Sequence, residues 1–338
     1  MSGDNTDGNN NGGNISRQAM ANSNVFAGGL YDRAGLKRKD TAWLEGLLNH
    51  PESRVIVLWR GKHLIVGDGT TNAAPVYLAF NEALQLASGG GLNPILLGLH
   101  EERAVFCADI SHHAEPLTHP SLAGRGDFFE VRDVAAAMDQ TEAQLIAQAR
   151  GLLYWHRRHR FCGGCGAPTE VQEAGHVRVC TNNDCAIHHF PRTDPAVIML
   201  VLAGEKCLMG RRPGRENFMY STLAGFVEPG ESLEEAVARE VLEETNIHVA
   251  NVRYAHSQPW PFPANLMLGF YADATSTEVT VNPDELADAR WFTRDEVREL
   301  MAVRDKVEAA KLGGAFHLPR PISIARRLVG EWMDGRAP

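Results

Sequence analysis

Short apolar runs separated by turn residues recur between Arg54 and Ile110, at residues 55–59, 63–66, 76–79, 95–97 and 105–108. Their length, β-branched content and turn punctuation predict a mainly antiparallel sheet. The period then becomes helical: Ile146, Ala149, Leu152 and Leu153 share one face, and Thr141 with Gln144 has the spacing of a capping box. A second block follows, with apolar runs at residues 196–203, 207–209, 249–255, 266–272 and 290–292, a helix after Ser232 and a closing helix near 322–333. Residues 1–24 lack apolar periodicity and are rich in Asn, Gly and Ser, so a disordered tail is expected before Val25.

Length and composition turn this pattern into domains. With 338 residues, 44% of them hydrophobic, the chain has enough apolar surface for two cores and a small insert. A formal charge of -9 argues against a protein built mainly to grip a nucleic-acid duplex, while the basic stretch of residues 156–160 leaves room for a local anion pocket. No run of about 18 apolar residues and no signal-peptide core occur, so a cytoplasmic protein with no membrane contact is expected.

Of six cysteines, Cys107 and Cys207 stand alone in apolar surroundings, and Cys162, Cys165, Cys180 and Cys185 form two close pairs separated by 14 residues. Two such turns can complete a tetrahedral four-thiolate site with no position left for substrate, which points to structural Zn2+. A reduced CxxC with stray cysteines, or a redox pair, is the competing reading, and His188 or His189 could replace one ligand. Glycines 163, 164 and 166 are expected to supply positive φ in the turns.

The helix after Ser232 carries the chemistry. Ser232 and Glu235 form a capping box, and Asn246 suits the left-handed position that ends a helix. Positions 233, 236, 237, 240, 243, 244 and 247 follow the spacing of one face, which runs Leu, Ala, Val, then Glu240, Glu243, Glu244, then Ile. Three carboxylates stand where a structural helix carries apolar residues. Their repulsion is relieved by a hard divalent cation, although a solvated acidic stripe would show the same residues.

From Gly225 to Ile247 the chain resembles the Nudix box, G-x5-E-x7-R-E-U-x-E-E-x-G-U with U apolar, matching at Gly225, Glu231, Arg239, Glu240, Val241, Glu243, Glu244 and Ile247, with Asn246 in place of the last glycine. Beyond it, Ser257-Gln-Pro-Trp-Pro-Phe-Pro-Ala-Asn265 has three prolines in five residues, which predict a rigid extended loop presenting Trp260 and Phe262 in place of an ordinary ladder. This segment resembles the SQPWPFPxS signature of the NADH pyrophosphatases, with Asn265 at the final serine.

The resemblance implies a fold of α+β and α/β parts: a tail at 1–24, an N-terminal mainly antiparallel α+β domain at 25–157, a zinc ribbon at 158–190 and a Nudix α/β/α sandwich with a mixed sheet at 191–335. It implies Mg2+ or Mn2+ held by Glu240, Glu243 and Glu244, with Glu285 as a further metal-side carboxylate. Arg239 would orient a glutamate, Glu231 would support it, and Gly225 would let the backbone turn. Ser257, Gln258, Trp260, Phe262 and Ala325 would bind substrate, and Phe190 and Phe226 would sandwich a base, although each could equally be a core aromatic. The implied reaction is attack of water on the diphosphate of NADH or NAD+, giving NMN(H) and AMP, by a homodimer. Removal of an NAD cap from RNA is the same chemistry, and an inert nucleotide-binding regulator is the reading from another class.

Overall fold

The computed structural model describes residues 24–67, 71–86, 93–214, 218–306 and 315–337. The expectation of a disordered tail lies outside these for residues 1–23, but Asn24, grouped with that tail, is buried.

The N-terminal domain is a sheet of β1 (Arg54–Trp59), β2 (Lys62–Val66), β3 (Ala74–Pro75), β4 (Leu78–Ala79), β5 (Ile95–His100), β6 (Arg103–Asp109) and β7 (Asp127–Phe129), ordered β3-β2-β1-β6-β5 with β4 on β1 and β7 on β2. All pairings are antiparallel except β1 with β6. Along β1, Ile56 and Leu58 enter one core while Val55 and Val57 enter another. Both sheet faces are therefore covered, which is why the run is apolar without alternation. The single strand expected at 76–79 is broken because the chain leaves β2 at Pro75 and joins β1 at Leu78.

Helix Gln140–Arg158 covers the first core. Its cap is Asp139, whose carboxylate accepts from the N–H of Thr141 at 2.7 Å and of Glu142 at 3.4 Å. The expected Thr141/Gln144 box is thus incorrect. Those side chains lie inside the helix and hold another segment, accepting from Leu30 N at 3.0 Å and Gly29 N at 2.6 Å.

The ribbon follows as β8 (Thr169–Gln172), β9 (Val177–Cys180) and β10 (His188–His189), ordered β10-β9-β8. The last unit contains β11 (Asp194–Ala203), β12 (Lys206–Arg211), β13 (Leu223–Phe226), β14 (Val249–Trp260), β15 (Asn265–Ala274) and β16 (Asp288–Thr293), ordered β14-β15-β11-β12-β16 with β13 on β11. The sheet is mixed, since β11 and β15 run parallel. Val197, Met199 and Val201 of β11 pack with Val237 and Val241 of helix Leu233–Thr245, while Ile198 and Leu200 pack with Leu328 of helix Ile324–Met333 and Val297 of helix Arg294–Lys306. Alternation along one strand thus builds a three-layer sandwich. The pattern reading omitted helices Thr41–Leu48 and Arg294–Lys306, whose faces are mostly polar or half-buried.

The proline-rich segment differs from the expected loop. β14 stays paired through Pro259 to Trp260, opposite Leu266 and Asn265. The ladder tolerates Pro259 because β14 is an edge strand. Trp260 and Phe262 then pack against the N-terminal core, where Arg150 donates to the Pro261 carbonyl at 3.0 Å.

Candidate metal centre and substrate cavity

Helix Leu233–Thr245 begins with the predicted box: Glu235 N donates to Ser232 Oγ at 3.2 Å and Ser232 N to Glu235 Oε2 at 2.8 Å. It ends at Asn246 with φ 57°, so the departure from glycine keeps the left-handed stop. Its buried stripe is Ala236, Val237, Glu240, Val241 and Glu244. The expected face is shifted by one position at Glu243, whose side chain is 51% exposed, whereas residues Glu240 and Glu244 are only 8% and 3% exposed.

Glu240 fits beneath the sheet because position 225 has no side chain: a Cβ there would lie 1.8 Å from the Glu240 carboxyl carbon. Gly225 is a paired residue of β13 opposite Val197, so its role is to make room for the carboxylate and not, as expected, to turn the backbone. Glu285 arrives on a turn suspended from the end of the acidic helix, with Thr280 N bonded to Thr245 O at 3.0 Å and Asn282 N to Glu244 O at 3.0 Å. One carboxylate oxygen from each of Glu240, Glu244 and Glu285 falls within 4.8 Å of the others.

Arg239 organises one side of this cluster. It donates to both oxygens of Glu231 at 2.7 and 3.0 Å, to Glu240 at 2.9 Å, to Glu243 at 3.1 Å and to the Phe226 carbonyl at 2.9 Å. Glu231 is thereby held below the usual carboxylate range, chiefly by Arg239. Glu240 moves up, burial outweighing Arg239. Glu244 is pushed up to about 8 by burial first and then by Glu240, with Arg212 opposing and Glu285 adding to the push. Its Oε2 is buried and has no hydrogen-bond partner among the described residues. Hard oxygens, converging geometry and an orphaned buried acceptor fit a divalent cation.

On the opposite sheet face lies a cavity of about 480 Å³, lined among others by Ile198, Ser221, Gln258, Trp260, Met267 and Ala325. Three predicted substrate residues, Gln258, Trp260 and Ala325, are brought together there. Gln258 is fully buried, its amide donating to Val25 O at 3.0 Å and Ile322 O at 2.8 Å and its oxygen accepting from Ile324 N at 2.8 Å. Ser257 accepts through its carbonyl from Asn24 at 2.7 Å, and Phe262 packs toward the N-terminal domain between Arg132 and Arg150. Phe190 and Phe226 lie elsewhere, 64% and 57% exposed. The sequence reading missed Arg132, which reaches the cavity wall from the other domain. No periodicity or motif marks it, because only long-range packing brings it there.

In the ribbon, Cys162 and Cys185 sulfurs are 3.8 Å apart, Cys165 and Cys180 sulfurs 3.4 Å, and all four lie within 4.8 Å of one another. Positive φ occurs at Gly166 (76°) and Ala186 (46°), not at Gly163 or Gly164 as expected. Four converging thiolates with no histidine among them fit a closed zinc site.

The chain matches the NUDIX domain over residues 192–312, the NADH pyrophosphatase-like rudimentary NUDIX domain over 52–155 and the NADH pyrophosphatase zinc ribbon domain over 157–190. Nudix hydrolase 19, chloroplastic, of Arabidopsis thaliana is 34% identical over 84% of this chain and 76% of its own. NAD-capped RNA hydrolase NudC of Mycobacterium bovis is 42% identical over 64% of this chain and 68% of its own. Human NAD-capped RNA hydrolase NUDT12 is 43% identical over 58% of this chain but 43% of its own, so the chain spans less than half of that relative. The chain belongs to the Nudix hydrolases, in the NADH pyrophosphatase family that carries a zinc ribbon. Among the described residues no helix is long and apolar enough to cross a membrane.

Two outcomes follow from this geometry. Protein purified without chelators is expected to hold about one zinc per chain, and Cys162→Ser to lose it together with thermal stability; zinc-free wild-type protein with unchanged melting would contradict the ribbon assignment. In the absence of divalent metal, folded Glu244 holds its proton to about pH 8, whereas an unfolded glutamate releases it near pH 4.3. The native state therefore binds more protons between these values, and this residue's contribution to stability falls as pH rises through that window. Glu244→Gln is expected to flatten that decline in urea unfolding; the same slope in both proteins would show that the carboxyl is not shifted.

Proposed function

We propose that this chain hydrolyses the diphosphate bridge of NADH or NAD+ to NMN(H) and AMP, using Mg2+ or Mn2+. The observation that carries this reading is the convergence of Glu240, Glu244 and Glu285 below β13, with a cavity walled by Gln258 and Trp260 on the other side of the same sheet. A diphosphate that spans the sheet edge would present its phosphates to the carboxylates and one nucleoside to the cavity. Bound at the carboxylates, the cation supplies neutralisation of phosphate oxygens and acidification of an attacking water. Arg239 keeps Glu231 and Glu240 in fixed orientations, and the bidentate bond to Glu231 resists rotation of the guanidinium. Glu243 stands at the solvent edge of the cluster beside Arg239, in position to take a second ion or a proton. We include in the proposal a homodimer acting in the cytoplasm, in which the exposed rings of Phe190 and Phe226 stack a base or meet a second copy.

A second substrate, RNA capped with NAD, is supported by a distinct feature. A cavity of about 300 Å³ where the N-terminal domain meets the ribbon is lined by Arg157, Arg160 and Arg178 beside the single carboxylate Asp109 and His156, whose pKa burial lowers to about 4 and so keeps it neutral, and the three guanidinium groups suit a phosphodiester backbone. Both substrates lose the same bond.

A panel of NADH, NAD+, ADP-ribose, diadenosine polyphosphate and NAD-capped RNA, each with Mg2+ or Mn2+ and products read by mass, tests the reading. NADH is expected to yield NMNH and AMP, and Glu244→Gln to lower that rate by roughly two to four powers of ten while the fold persists. Intact NADH after incubation with wild-type protein, or wild-type turnover by Glu244→Gln, would overturn it.

A further inference from the structure

Residues 24–26 come well before the first strand of the N-terminal domain, yet each touches β14 of the Nudix sheet. Asn24 Nδ2 donates to the Ser257 carbonyl at 2.7 Å and lies 3.0 Å from His256 Nδ1. The Val25 carbonyl accepts from the Gln258 amide at 3.0 Å. Phe26 is fully buried, its ring centre 6.1 Å from both Trp260 and Phe262. The chain then leaves the sheet, and Gly29 and Leu30 bond to Gln144 and Thr141 of helix Gln140–Arg158.

The location of these contacts gives them meaning. β14 is the edge of its sheet, so among the described residues no further strand holds its outer side, and Pro259 offers no N–H to one. Gln258 and Trp260 are the two residues of this strand that wall the large cavity. Ser257 just before Gln258 and Trp260 two residues after it are therefore both held by the 24–26 segment, and the Gln258 amide itself is shared between Val25 and Ile322. The half-buried Trp260 ring meets the buried Phe26 edge-on and Phe262 edge-on, while Phe262 tilts against Phe26, and these contacts leave Trp260 little rotational freedom.

We propose that residues 24–26 are a strap by which the N-terminal domain positions Gln258 and Trp260, so that Asn24 and Phe26 govern affinity for the dinucleotide without touching it. This rests on the reading that the cavity takes one nucleoside of NAD(H). Asn24 and Phe26 are positioning residues; neither lies among the carboxylates that hold the cation. Their loss is therefore expected to weaken substrate binding and spare the chemical step.

The full-length zinc-loaded chain and its variants Asn24→Ala, Phe26→Ala and Phe26→Leu are compared in steady-state NADH hydrolysis, with Mn2+ affinity followed by electron paramagnetic resonance. The expected result is a rise in KM of about tenfold or more for both alanine variants with kcat within about twofold, unchanged Mn2+ affinity, and substantial recovery of KM in Phe26→Leu. Should Phe26→Ala not fold, Asn24→Ala decides, since it removes hydrogen bonds and little volume. A wild-type KM in folded Asn24→Ala, or a fall in kcat alone, would overturn the strap. Absence of NADH cleavage by the wild-type chain would instead remove the functional reading and the strap with it.

Discussion

Two carboxylates buried under a sheet are the constraint around which the Nudix unit is arranged. Glu240 and Glu244 lie on the stripe of helix Leu233–Thr245 that otherwise carries Ala236, Val237 and Val241 into the core. An ionised carboxylate in such a place is costly unless it is paired or holds a metal. The surroundings answer in two ways. Arg239 binds the side of the cluster formed by Glu231 and Glu240, and the orphaned oxygen of Glu244 converges with Glu285 in a donor set that fits a cation. Gly225 is the permissive element, since any side chain there would occupy the volume of the Glu240 carboxyl group.

The same strand alternation that buries the acidic helix on one face lines a cavity on the other. Val197 and Met199 face the helix, and Ile198 between them faces the cavity. The carboxylate cluster and the cavity thus lie on opposite faces of one sheet, and under the proposed function they would receive the diphosphate and a bulky nucleoside respectively. The N-terminal domain is not a bystander here. It places Arg132 at the cavity and packs Phe262 between Arg132 and Arg150.

Local chemistry was legible in the amino-acid order, and distance-dependent chemistry was not. The capping box at Ser232, the left-handed Asn246 and the four thiolates each depend on residues close in sequence or on a spacing with one geometric solution. Glu243, expected on one face with Glu240 and Glu244, stands at its rim, because a seven-position stripe at i+3 and i+4 is wider than the face a sheet can cover. Gly225 announces its importance in sequence but not its reason, which lies fifteen residues away in Glu240. Pro259 argued against a ladder, and the edge position of β14 overrode that local rule. Thr141 and Gln144 had the spacing of a cap, but the stronger acceptor Asp139 stood just before them.

If the glutamates form one cation site, its integrity depends on the missing side chain at position 225. Mn2+ is titrated into the wild-type chain and Gly225→Ala, reading free and bound ion by electron paramagnetic resonance, with zinc content and circular dichroism confirming the fold. Displacing the Glu240 carboxyl group is predicted to weaken Mn2+ binding by roughly tenfold or more, the scale of losing a group that supports a ligand set. Equal Mn2+ affinity in a folded Gly225→Ala protein would contradict it.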